Sequence, residues 1–272
     1  MLRKLTIPVF LTCAAAFTSL PAAAQTPLEV TLTRLDCGTQ VTNDVGRWSD
    51  TFAYPGLKLP FTYSCYLIKH GNDYMLWDTG HSMSAGAPAP KVSIVDQLAQ
   101  LNLKPEQIKF IGISHFHADH TGQLPSFPGA MVMIGKGDWD GITATPPMPG
   151  ANAGAFAHWK TGGGKLEALT GDKDVFGDGT VIILRTPGHT PGHDSVLVRL
   201  KEAGNFLMLG DLAHFHENYE SNGVPAFNHS RSDTVASLER IKKIAANLKA
   251  TVIIQHDPRD IGKLPAFPAA AK

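Results

Sequence analysis

The sequence predicts an α/β fold in which two mixed β-sheets pack face to face with helices outside. Three observations carry that expectation. Apolar strand blocks, a helix, further strand blocks and a second helix follow one another along the chain. Segments rich in histidine and aspartate fall at the carboxyl ends of strands, where open sheets place their chemistry. Once an N-terminal leader is set aside, about 248 residues remain, enough for one layered core and not obviously for two.

Residues 1–24 carry Arg3 and Lys4, an apolar stretch over 5–20, and then Pro21-Ala22-Ala23-Ala24. A charged start, an apolar middle too short for a convincing span and a small-residue end define a cleavable secretory signal peptide, cut between Ala24 and Gln25. The mature chain is therefore expected in the periplasm or outside the cell, without a stable membrane anchor. Cys13 is a poor lipoprotein site, since Thr12 precedes it and much of the apolar stretch lies beyond it. Loss of Arg3 and Lys4 leaves 22 basic residues against 24 acidic ones, and no basic patch calls for nucleic acid. Cys37 and Cys65 remain, and the sequence is compatible both with one disulfide and with two separate buried thiols.

Residues 28–35 alternate as a strand does, and 63–68 and 74–77 read as a strand pair around the turn His70-Gly71-Asn72-Asp73. Residues 43–61 read as a loop whose Trp48, Phe52, Tyr54 and Phe61 either cap the core or form an apolar lip over a site. Asp78 then ends a strand with a carboxylate. Residues 92–101 have helical spacing in Val92, Val95, Leu98 and Ala99, with Asn102 as terminator. Residues 110–113 and 131–134 are short buried strands. Residues 138–164, rich in Gly, Pro and Ala, form an insertion that is either a substrate cap or a surface excursion. Strands follow at 181–184, 195–200 and 205–209. Residues 230–249 form the best helix, opened by a Ser-x-x-Asp pattern, with Val235, Leu238, Ile241, Ala245 and Leu248 on one face, and they feed a strand at 251–254.

The chemistry is concentrated in residues 114–122, Ser-His-Phe-His-Ala-Asp-His-Thr-Gly, directly after the strand at 110–113. His115 and His117 are two apart and share a face in extended chain, whereas Asp119 and His120 follow as the chain turns. Two pairs aimed differently suggest two metals, and imidazoles suit zinc or a similar borderline ion. A solvated polar loop would account for any one of these histidines but poorly for the cluster.

The H-x-H-x-D-H pattern resembles that of the metallo-β-lactamase superfamily, and the resemblance covers nearly all of residues 25–272 as one hydrolase domain. It implies an αββα sandwich of two mixed β-sheets flanked by helices. It also implies three further ligands, which the chain offers as His189 in Thr-Pro-Gly-His, Asp211 in Leu-Gly-Asp and His256 in Ile-Gln-His-Asp. On this resemblance His115, His117 and His189 hold one divalent ion, Asp119, His120 and His256 a second, both expected to be Zn2+, and Asp211 bridges them. A water between two such ions is acidified toward hydroxide, a nucleophile at neutral pH. Asp78 is implied as the acceptor that orients a ligand histidine. His193, separated from His189 by Pro191-Gly192, reads as a structural hydrogen-bonding residue.

Departures from the superfamily's other branches narrow the class. Its true β-lactamases lack a bridging Asp, its diiron members carry Glu where this chain has His117, and glyoxalase II adds a C-terminal region where only 16 residues follow His256. The 69 positions from His120 to His189 resemble the N-acyl homoserine lactonase and organophosphate hydrolase branches, and the contexts Leu-Gly-Asp, His-Glu-Asn-Tyr and Gln-His-Asp resemble the lactonases most. The resemblance therefore implies a secreted hydrolase opening lactone esters, with Asp119 and His214 as its catalytic residues. Many lactonases place a Tyr three residues after the bridging Asp, and here His214 stands in that position. It is expected to donate to the substrate carbonyl, with His216 and Tyr219 as the other candidates. A small lactone or ester is the expected partner, and the oligomeric state, a homodimer included, is left open. A phosphotriesterase-like or arylesterase enzyme using the same metals, and a non-catalytic zinc-binding module, are the competing readings.

Overall fold

A computed structural model of the chain describes residues 28–41 and 44–272. The expected signal peptide and its cleavage point lie outside the described residues. The first sheet runs in sequence order through β1 (Val30–Val41), β2 (Pro60–His70), β3 (Asp73–Trp77), β4 (Ile108–Ile113), β5 (Met131–Gly135) and β6 (Leu166–Leu169). Its first three strands are antiparallel and the pairs from β3 to β6 parallel. The second sheet is built from β7 (Lys173–Asp174), β8 (Val181–Arg185), β9 (Asp194–Leu200), β10 (Gly204–Met208) and β11 (Thr251–Ile253), ordered β11-β10-β9-β8-β7. Only its β10–β11 pair is parallel. The helices are α1 (Ile94–Gln100), α2 (Ala118–Thr121), α3 (Lys136–Thr143), α4 (Ala157–Lys160), α5 (His216–Ser221) and α6 (Arg231–Leu248).

Strand alternation divides the apolar side chains into three layers of contact. Between the sheets lie Tyr66, Ile68, Met75 and Trp77 against Val181, Ile183, Val196, Val198 and Met208. The alternate residues Leu67, Leu76, Ile111 and Ile113 face outward and are covered by Ile94 and Leu98 of α1 and by Ile142, Phe156 and Trp159. On the far side, Leu197, Leu207 and Leu209 are covered by Leu238, Ile241 and Ala245 of α6. This is the αββα arrangement expected. Among the described residues no helix is long and apolar enough to cross a membrane.

Several elements differ in detail from the sequence expectation. The helix at 92–101 begins only at Ile94, with Ser93 as its cap, so it buries Ile94, Gln97 and Leu98 and leaves Val92 exposed. Asn102 ends it in the left-handed conformation, as a terminator should. Ser230 caps α6 by accepting the Asp233 N–H, but the buried stripe is Thr234, Ser237, Leu238, Ile241 and Ala245, with Val235 at its margin. The insertion at 138–164 starts inside α3, and its Ile142, Phe156 and Trp159 are core residues, so it packs as part of the sandwich. Strands β6 and β7 were not expected; both are short edge strands with weak apolar patterning.

Cys37 and Cys65 form a disulfide across β1 and β2, with Cα atoms 5.9 Å apart. It closes a loop of 28 residues, for which the chain-entropy argument gives about 3.5 kcal/mol of stabilisation. The Cys37→Ala, Cys65→Ala double variant should therefore melt on the order of 10 °C lower by calorimetry. An unchanged melting temperature would show that the strand pairing alone already restrains this loop.

Candidate metal centre

The ligand loops gather along one edge of the sandwich, where strands of both sheets end. The first sheet supplies His115, His117, Asp119 and His120 from the segment between β4 and α2 and the α2 helix itself. The second supplies His189 after β8, Asp211 after β10 and His256 after β11. Asp211 sits in a tight turn opened by Gly210, whose φ of +60° favours glycine and whose missing side chain leaves room for His193; a Cβ there would lie 2.7 Å from His193 Nε2.

These side chains form two quartets that share Asp211. In the first, His117 Nδ1 lies 2.8 Å from His115 Nε2 and 3.1 Å from His189 Nε2, and Asp211 Oδ2 lies 3.2 Å from His189 Nε2. In the second, Asp211 Oδ1 lies 2.7 Å from His256 Nε2 and 3.1 Å from His120 Nε2, while Asp119 Oδ2 lies 3.5 Å from His120 Nε2. The two oxygens of one carboxylate thus face two separate nests of donors, as the bridging assignment requires.

The groups behind the imidazoles fix which nitrogen faces inward. His120 Nδ1–H donates to Asp78 Oδ2 at 2.8 Å, His189 Nδ1–H to Asn228 Oδ1 at 2.9 Å, and His256 Nδ1–H to the Thr62 carbonyl at 2.7 Å. Each Nε2 therefore turns a lone pair toward other lone pairs and toward carboxylate oxygens, an arrangement that only positive charge makes favourable. Burial pulls His117 down to about 4 and lowers His115 as well, which keeps them neutral as ligands must be. For His120 burial acts in the same sense, but the Asp211, Asp119 and Asp78 carboxylates outweigh it and push the imidazole up. That pocket attracts a cation. The nitrogen and oxygen donor set, four per nest, fits two borderline divalent ions.

A shell of hydrogen bonds holds the ligands, and much of it was not evident from sequence. Asp78, in the left-handed conformation with φ of +60°, accepts from the Ser114 N–H at 2.7 Å and from Gln255 Nε2 at 2.9 Å besides His120. A non-glycine residue held there costs on the order of 1 kcal/mol, and these contacts over-determine it. Gln255 also accepts from Trp77 Nε1 and the Gly210 N–H, so one buried amide links both sheets to the site. Asp138 accepts from the Phe116 N–H at 2.9 Å, Thr190 Oγ1 at 2.8 Å and the Gly192 N–H at 2.6 Å, tying two ligand loops together. Burial pushes its carboxyl up to about 6. His193 donates Nδ1–H to the Thr186 carbonyl and accepts the Asp211 N–H at 2.9 Å, the structural part expected of it.

Over the nests lies a cleft of about 190 Å³, lined by Gln40, Arg47, Trp48, Phe61, Tyr63 and Phe227 above His117, Asp119, His189 and Asp211. Trp48 and Phe61 are thus wall residues of the site, Tyr54 packs on the core, and Phe52 projects into solvent at 90% exposure. Asp119 reaches the cleft with its side chain 21% exposed.

His214 does not line the cleft. It is fully buried beneath Trp48, 4.2 Å between ring centroids, and its Nε2–H donates to Asp211 Oδ2 at 3.1 Å. Burial pulls it down to about 4, so the ring is neutral and its single N–H is committed to Asp211. The donor to substrate expected at this position is therefore turned away from the substrate side. His216 is paired with Asp260 at 2.7 Å, and Tyr219 packs on the core under Lys242, so neither replaces it. His214→Ala should weaken metal affinity by roughly 10- to 100-fold, the scale for losing a partner of a ligand. Competition with a chromogenic chelator measures this. Unchanged affinity with a 10²-fold fall in kcat would return His214 to the role of substrate donor.

Residues 59–256 match the family model of the metallo-beta-lactamase superfamily. The N-acyl homoserine lactonase AttM of Rhizobium radiobacter is 34% identical over 168 residues, which are 60% of this chain and 64% of that relative. The chain thus spans just under two thirds of that relative's length. A solved quorum-quenching N-acyl homoserine lactone hydrolase has the same fold, with a TM-score of 0.73 at 23% identity over 90% of this chain and 99% of that one. AidC, a dizinc quorum-quenching lactonase, has a TM-score of 0.66 at 18% identity over 89% and 90%. All seven residues of the two nests fall inside the matched stretch, on the fold those structures share, and the chain belongs to the metallo-β-lactamase superfamily.

Proposed function

We propose that the protein is an exported dinuclear metal hydrolase that opens lactone esters, with N-acyl homoserine lactones as its substrate class. The single observation that carries this reading is Asp211, whose two oxygens face two donor nests beneath an aromatic-walled cleft. The names of the relatives favour the lactone over other esters, and Trp48, Phe61 and Phe227 offer an apolar surface to an acyl arm.

His115, His117 and His189 would hold one ion, Asp119, His120 and His256 the other, and Asp211 both. Bound there, two divalent ions, taken to be Zn2+, would acidify a water and polarise an ester carbonyl. The chain's own residues do the rest. The wall orients the acyl arm so that the ester carbonyl points toward Asp211. In the balanced reaction one water adds its oxygen to the carbonyl carbon, the ring C–O bond breaks, and the ring oxygen takes a proton to become a hydroxyl. Asp119 is the carboxylate open to the cleft and placed to carry that proton. The Asp78, Asn228 and Thr62 acceptors hold the histidine tautomers unchanged throughout.

A screen of acyl homoserine lactones, aryl esters and phosphotriesters on metal-replete protein tests this. The lactones should show the highest kcat/KM, by at least ~10-fold, and a preference for phosphotriesters would overturn the assignment. Export is supported by the leader's pattern and by the Cys37–Cys65 disulfide, a bond that persists in oxidising compartments. N-terminal sequencing of protein from its native host should begin at Gln25. Intact Met1 on soluble cytoplasmic protein would refute export.

A further inference from the structure

Resting on the hydrolase reading above, we infer that Tyr63 is the hydrogen-bond donor to the substrate's carbonyl oxygen as that oxygen gains negative charge. The metal-holding groups present lone pairs, and the aromatic wall of Trp48, Phe61 and Phe227 is there to pack. Gln40, Arg47 and Trp48 have N–H donors, but Gln40 and Arg47 are exposed on the rim, with Arg47 over the Trp48 and Phe227 rings at 5.9 and 5.8 Å, and Trp48 Nε1 is sealed off from the cleft. Among the described residues Tyr63 is the one O–H donor in the lining, and it is buried.

The residue is buried, with 5% exposure remaining. Edge contacts to His81 at 4.3 Å and His256 at 5.2 Å and a tilted contact to Phe61 at 5.2 Å fix the ring's direction. It rises from β2 one residue beyond Thr62, the residue that holds His256, so its backbone is anchored by the same strand that orients a ligand. A phenol buried to this degree normally finds a partner, and among the described residues no side-chain hydrogen bond reaches this one; nor is its oxygen among the sealed polar atoms. A hydroxyl held rigidly at the cleft, unpaired with protein, and beside Asp119 and Asp211 is preorganised for an acceptor that arrives with the substrate. The ester carbonyl oxygen is that acceptor. No proton is transferred; the O–H strengthens its hydrogen bond as the carbonyl carbon becomes tetrahedral.

Tyr63→Phe tests this with little risk to folding, since it removes an oxygen that no protein side chain holds. On an N-hexanoyl homoserine lactone, kcat should fall roughly 10²-fold with KM changed less than threefold and with metal content unchanged by elemental analysis. A second reading is independent of turnover. The carbonyl stretch of a bound N-acyl lactam analogue, seen by infrared difference spectroscopy, should be lowered by wild type and shift back up in Tyr63→Phe. Equal kcat and an equal carbonyl stretch in both proteins would overturn the assignment while leaving the lactonase reading intact. Should wild type cleave aryl esters and no lactone, the lactonase reading falls, and the same two measurements on the ester carbonyl decide Tyr63. Activity on phosphotriesters alone would overturn both.

Discussion

Asp211→Ala is expected to lower kcat/KM on the order of 10³-fold or more and to reduce bound metal from about two ions per chain toward one or none. The size follows from the position of the carboxylate. Its Oδ1 lies 2.7 Å from His256 Nε2 and its Oδ2 3.2 Å from His189 Nε2, so one side chain neutralises charge in both nests at once. Without it two dications would face each other with no anion between them, and a thousandfold loss corresponds to about 4 kcal/mol of transition-state stabilisation. Asp211→Asn separates charge from shape, because an amide offers one acceptor oxygen and would serve a single nest. Elemental analysis should therefore find about one ion in Asp211→Asn. Full activity of Asp211→Ala with one tightly held ion would exclude the dinuclear arrangement.

Removing the metals should abolish turnover and lower the melting temperature on the order of 10 °C for each ion lost. The ligands come from both sheets, so ions bound there crosslink the two halves of the sandwich. An ion present at 1,000 times its dissociation constant contributes about 4 kcal/mol, and a domain of this size shifts roughly 2–4 °C per kcal/mol. Exhaustive dialysis against a chelator, followed by calorimetry and re-addition of Zn2+, measures both quantities. A melting temperature that ignores the chelator would mean that the hydrogen bonds from Asp78, Asn228 and Thr62 alone hold the nests together.

The residues of the two nests were legible in the sequence because metal chemistry draws on few residue types and strands deliver them at their ends. His115, His117, Asp119 and His120 lie within six positions, and His189, Asp211 and His256 each follow an apolar strand. The layers were legible for the same reason: alternation in β2 and β3 and the stripe on α6 record which face is buried. What escaped was set by distant contacts. Asp138 matters through Phe116, Thr190 and Gly192, up to 54 positions away, and nothing local distinguishes it from a surface aspartate. Gln255 carried a faint signal, a lone amide after the apolar run Val252-Ile253-Ile254. His214 was placed correctly beside Asp211, but spacing along a chain cannot say to which side of a carboxylate a ring turns.

The cage and the wall of the site are anchored in different ways. His115, His120, His189, Asp211 and His256 are backed by hydrogen bonds from groups outside the nests, whereas Trp48 stands on a connecting segment fastened by Asn218 Nδ2 to its carbonyl at 2.6 Å and by the Asp50 N–H to the Val224 carbonyl at 2.7 Å. Phe227 is likewise 47% exposed on a connection. The side chains of Trp48 and Phe227 themselves make none of the hydrogen bonds that hold the cage, and of the two only Trp48 packs close over one of its members, His214. Descendants of such a protein can change their diet by drift in two or three wall positions while inheriting the reaction intact, and a laboratory library confined to those positions samples new substrates without risking the catalyst.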